Sequence, residues 1–135
     1  MDMKKLGISQ VNAHNEYLRI RDTEYTLWAA SADTEIIRAA EMAWDYAENT
    51  YVDDNVRFSE VRLLRTYQRF AQRVVDIAKD RRELYLVLPG TDKYEDYVTS
   101  LNRVMIMTTM AAKRLAAMVE EAERKCHENE GKKYG

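Results

Sequence analysis

The chain has 135 residues, 46% of them hydrophobic and 33% charged, with a formal net charge of -2. That length suits one domain burying roughly two thirds of its unfolded surface, and the balance excludes both a disordered chain and a surface built throughout for nucleic acid. Four glycines and one proline leave too little punctuation for a many-stranded β fold, and the single cysteine, Cys126, forms no intrachain disulfide.

The start, MDMKKLGISQVNAHNEY, lacks the apolar core of a signal peptide, and no run approaches the ~20 apolar residues that cross a bilayer. The expected setting is cytoplasmic and reduced. A first helix is predicted from about Ser9 or Asn12 to Ala30, with Val11, His14, Tyr17, Leu18, Ile20, Tyr25, Leu27 and Trp28 on one broad arc. Ser31 or Asp33 then offers an N-cap. The second helix, about Thr34 to Asn49, carries Ile36, Ala40, Ala43 and Ala47 along one seam, with Ile37, Trp44 and Tyr51 beside it. Small residues in a seam allow a close neighbour. NTYVDDN breaks the pattern and supplies Asp53, Asp54 or Asn55 as the next cap.

The third helix is long, from roughly Val56 to Leu88. Leu63, Tyr67, Phe70, Val74, Ile77, Arg81, Leu84 and Leu88 alternate four and three apart, as in a coiled-coil seam. Its last stretch, ELYLVLPG, is β-prone taken alone but finds no partner strand, so helix is expected until Pro89 and Gly90 end it. The fourth helix, about Asp92 to Asn129, repeats the spacing with Tyr94, Val98, Leu101, Met105, Thr108, Ala112, Leu115, Val119, Ala122 and Cys126. Together the segments predict an all-α antiparallel four-helix bundle, two shorter helices packed on a long helical hairpin. It forms a single domain over residues 1–135, with a disordered tail from about residue 130.

On a wheel the fourth helix has two apolar faces. Ile106, Met110 and Ala117 fall among Glu95, Asp96, Arg103, Lys113, Arg114, Glu120 and Glu121, opposite the seam, with Met107 at the edge. The uncharged stretch spans only about 14 Å between Arg103 and Lys113, too short for a membrane. A second apolar face calls for cover, either within the chain or from another helix. The favoured cover is a second copy of the chain or another helical protein, with Ile106, Met107, Met110 and Ala117 as the interface.

Arg62, Arg65, Arg69 and Arg73 form a stripe along the third helix. Arginines interleaved with aromatic residues suit a nucleic-acid binder, but Tyr67 and Phe70 turn into the seam. Residues 33–54 hold seven acids against Arg38 alone, net -6, while residues 57–82 hold eight bases against three acids, net +5. Rim ion pairing between the second and third helices is therefore expected to absorb the stripe, with an acidic protein or nucleic acid as the alternative partner. Arg21, Glu24, Arg81, Arg82 and Glu123 sit at inward wheel positions and are expected to pair or to reach solvent. His14 lies on an apolar face and reads as a core residue.

Catalytic signals are weak. Glu123 and His127 are four apart, but a di-metal bundle needs Glu-x-x-His on two helices. Carboxylates such as Asp45 with Glu48, or Glu120, Glu121 and Glu123, suit a solvated face better than a metal-dependent hydrolase. Phosphate-binding glycine loops and nucleophile motifs are missing from the sequence. The expectation is a non-catalytic interaction module without metal or cofactor. Nucleic-acid binding through the arginine stripe is its alternative.

Overall fold

Four α-helices carry most of the chain in a computed structural model that describes residues 5–29, 33–88 and 91–134. They are α1 (Ala13–Ala29), α2 (Asp33–Asn49), α3 (Phe58–Val87) and α4 (Glu95–Tyr134). Asn12 starts α1, its Oδ1 accepting the Asn15 backbone N–H at 3.1 Å. The Ala30 helix end, the Ser31 cap and the Pro89–Gly90 turn lie outside the described residues. ELYLV stays helical to Val87, so the β-prone stretch is settled as helix, and α4 runs on past Asn129 to Tyr134.

The order of side-chain contacts fixes the helix directions. Arg65 meets Glu123, Arg82 meets Asn102, and Tyr85 stacks on Tyr97, so α3 and α4 run antiparallel. Glu16 meets Tyr67 and Glu24 meets Arg73, so α1 runs with α3. Arg114 bonds the Ala47 carbonyl and Lys125 the Val52 carbonyl, which sets α2 alongside α4. The result is an antiparallel bundle, up-down-up-down in chain order, with the two shorter helices on the long hairpin.

Alanines decide how tightly it closes. Ala39, Ala40, Ala43 and Ala47 of α2, Ala71 and Ala78 of α3, and Ala111 and Ala122 of α4 are fully buried. Their small side chains bring α2, α3 and α4 close around Leu63, Leu64, Tyr67, Phe70, Leu101 and Leu115. The most extensive packing joins α3 to α4, followed by α2 to α4, while α1 leans on α2 and α3 and scarcely touches α4.

α1 departs from the expected arc. Ile20 and Leu27 are buried, but Tyr25 is 71% exposed, Trp28 is 81% exposed and His14 faces solvent. The inward side of α1 instead includes Glu16, which accepts the Tyr67 hydroxyl, and Thr23, which donates to Met42 Sδ at 3.4 Å. The segment before α1 is tied down as well. A two-residue strand, β1 (Leu6–Gly7), pairs in parallel with β2 (Thr50–Tyr51), a ladder too short to signal in sequence. Asp53 serves this attachment rather than capping α3: its Oδ2 accepts Ser9 N–H at 3.3 Å and the Ser9 hydroxyl.

Candidate interaction surfaces

Because α2 and α3 both grip the inner side of α4, its outer side is left bare. Ile106 is 64% exposed and Met110 53%, and Ala117 is exposed with them, one stripe over three turns. Met107 stands at the margin, half-buried against the core. No other helix of the described chain covers the stripe. Lys113 stands within the stripe, between Met110 and Ala117, and Arg103 and Arg114 lie on its flank.

Between α3 and α4 lies an open groove of about 790 Å³. Arg62, Arg65 and Arg69 of α3 line it with Lys113 of α4, over a floor that includes Ala112, Ala116 and Val119. Tyr17 reaches its rim from α1, and none of its lining side chains is acidic. Arg65 is held in the groove wall by an ion pair to Glu123. Arg62, Arg69 and Lys113 have no ion pair among the described residues. Arg73, the fourth member of the sequence stripe, turns the other way and meets Glu24 of α1 at 3.9 Å.

This arrangement revises the expected ion pairing. Among the described residues the α2–α3 ion pair is Arg81–Asp33 at 3.8 Å, next to a Tyr85 hydroxyl that donates to Asp33 at 2.8 Å. The stripe arginines that pair do so with α4 and α1. The reason is the alanine seam: it is the face α2 gives to its neighbours, so Glu41, Asp45 and Glu48 project oppositely and stand exposed, without ion pairs among the described residues. Glu24 and Glu123, from the inward wheel positions, are taken up in the rim pairs with Arg73 and Arg65. Arg82 donates to Asn102 at 3.0 Å, and Arg21 is exposed.

The wheel of α4 alone locates its bare stripe. The groove escaped sequence reading because its fourth cation and its floor come from α4. Only the register that sets Arg65 against Glu123 brings Lys113 into the same groove as Arg69.

Ionisable groups inside the bundle are tuned by burial. The Tyr46 and Tyr67 rings stack 3.7 Å apart at 8°, and burial raises both hydroxyls well above the usual tyrosine range. The bond to Glu16 raises Tyr67 further. Burial also pushes the thiol of the free, buried Cys126 up. Lys125 is pushed up by its bond to Asp54, at 3.2 Å. Among the described residues, no three His, Cys, Asp or Glu side chains gather as a metal ion requires. Nor is any described helix long and apolar enough to cross a membrane. Comparison with models of protein families, with curated proteins and with solved structures finds no match to this chain.

Proposed function

We propose that this chain is a non-catalytic assembly subunit that joins a second copy of itself through the outer face of α4, with Ile106, Met110 and Ala117 at the centre of the contact and Met107 at its edge. One observation carries the reading: a helix whose inner face is fully occupied also presents an exposed apolar stripe. Exposed apolar surface of this kind favours burial against a partner, and identical stripes are self-complementary about a two-fold axis. A lone, buried thiol suits a reducing, cytoplasmic setting.

Light scattering behind size exclusion tests the proposal directly. The wild-type chain should elute as a multimer, and Met110→Lys should elute as a folded monomer. A folded Met110→Lys chain of unchanged mass would refute it. The groove supports a second reading, nucleic-acid binding, because four cations line it and no acid does. Such binding would weaken steeply with salt and fall when Arg65 and Arg69 become Glu. Absorbance of the purified protein at 260 and 280 nm separates the two readings at the outset.

A further inference from the structure

The chain carries two unpaired charge stripes of opposite sign, and they lie on opposite flanks of the bare face of α4. The flank of Arg114 and Lys125 faces α2, since these side chains bond the carbonyls of Ala47 and Val52. The flank of Thr109, Ala112 and Ala116 faces the groove. These two sets of residues are separated by roughly 140° or more around α4, with Ile106, Met110 and Ala117 between them. On the α2 side stand Glu41, Asp45 and Glu48, and on the groove side Arg62, Arg69 and Lys113, all without ion pairs among the described residues.

We infer that the basic groove of one copy receives the acidic stripe of α2 from a second copy, in a two-fold dimer whose α4 helices run parallel. This deepens the proposed self-association and rests on it. Symmetry leaves two ways to stack the bare faces. A two-fold axis lying across α4 makes the helices antiparallel and sets groove on groove, four cations facing four. An axis lying along α4 makes them parallel and carries α2 of one copy over the groove of the other, twice in each dimer. Across the flanks, like charges face each other in the first arrangement and opposite charges in the second, where Lys113, within the stripe, is the cation that approaches its own copy, so the flanking charges select the second.

The register agrees. An axis along α4 leaves each residue at its own height on the bundle. Ala47 is bonded by Arg114, and α2 and α4 run in the same direction, which puts Glu48 within about one turn of Lys113 of the second copy. The Arg65–Glu123 and Arg82–Asn102 contacts put Arg69 about one turn away from that level. The two stripes also match in length. Glu41 to Glu48 and Arg62 to Arg69 each span seven residues, about 10 Å of helix.

Three variants of the full chain decide the matter, with dissociation constants measured by sedimentation at low and high salt. The first reverses the acids (Glu41→Lys, Asp45→Lys, Glu48→Lys), the second reverses the bases (Arg62→Glu, Arg69→Glu, Lys113→Glu), and the third carries both sets. Every altered residue is exposed, and circular dichroism checks the fold. Each single set should weaken the dimer on the order of ten-fold or more at low salt, and the combined chain should recover it. If both single sets dimerise as tightly as wild type while Met110→Lys is monomeric, the charge pairing is overturned and the α4 interface stands. A monomeric wild type overturns both. Nucleic acid copurifying with the wild type, and lost only from the base-reversed chain, would overturn the proposal by giving the groove a different occupant.

Discussion

The hairpin of α3 and α4 and the amino-terminal segment with α1 are held by different physics. The hairpin, with α2, buries its apolar side chains around fully buried alanines, a non-directional contribution proportional to the area removed from water. The segment from Leu6 to Trp28 places Ile8, Ile20 and Leu27 among the buried hydrophobics, and is attached by polar contacts: Ser9 to Asp53, Glu16 to Tyr67 and Glu24 to Arg73. Burial tolerates small shifts in position. Hydrogen bonds do not, and each contributes about 1 kcal/mol net. α1 should therefore be the part of the bundle that opens first.

The largest effect should come from the hairpin itself. Phe70 is 1% exposed and packs edge-on against Tyr67 with centroids 6.2 Å apart. Phe70→Ala should destabilise the protein by about 3–5 kcal/mol in urea denaturation, because the cavity is walled by helices that cannot close further. Trp28→Ala removes a larger ring from α1, yet should shift stability by less than about 0.5 kcal/mol, since Trp28 is 81% exposed. Equal costs for the two would erase the contrast.

A smaller loss is expected at Gly7. Its backbone, φ -64° and ψ 142°, suits any residue, so the need for glycine is one of space. A Cβ there would stand 2.9 Å from Asp53 Cγ and 3.1 Å from Asp53 Cβ. The Asp53 side chain would have to swing away and release Ser9. Gly7→Ala should cost about 1–3 kcal/mol, and hydrogen exchange should quicken in α1 before α3 and α4. Uniform acceleration across the bundle would show that the amino-terminal attachment is part of one cooperative unit instead.

The same contrast explains what sequence can and cannot convey. Seams built from burial have a period, so Ile36–Ala40–Ala43–Ala47 and Leu63–Tyr67–Phe70–Val74 could be read off and are buried as read. α1 misled because its apolar residues are scattered around the helix. Its inward side includes Glu16 and Thr23, whose partners Tyr67 and Met42 are remote in sequence. Charge totals showed that α2 is acidic and α3 basic, but not which way each stripe points. The alanine seam decides that: it turns Glu41, Asp45 and Glu48 outward and leaves Arg65 and Arg73 to α4 and α1. The bare face of α4 was legible from one helix alone; the groove beside it depends on the register of two.

Tyr67 sits on the boundary between the two regimes, its ring in the core and its hydroxyl on α1. Tyr67→Phe keeps the stack on Tyr46 and removes only the bond to Glu16, so it should cost about 1 kcal/mol, expressed mainly as loosening of α1. Alkaline pH offers an independent reading. Both tyrosine hydroxyls are raised in the folded state, chiefly by burial, while unfolded tyrosine titrates near 10. Their contribution is thus fully present below about pH 10 and is lost as pH climbs toward the raised values. Wild-type stability should decline across that window, and less steeply in Tyr67→Phe.

The smallest effect is expected one ring away. The Tyr46 hydroxyl is buried and has no hydrogen-bond partner among the described residues, a desolvation cost with nothing to offset it. Tyr46→Phe keeps the ring against Tyr67 and removes that cost, so at neutral pH it should leave stability unchanged or raise it slightly. Above pH 10 its advantage over wild type should widen, because one raised hydroxyl no longer has to titrate on unfolding. A loss of 1 kcal/mol or more at neutral pH would mean that the hydroxyl has a partner in solution, most simply a buried water, and that polar contacts also help to hold the hairpin core.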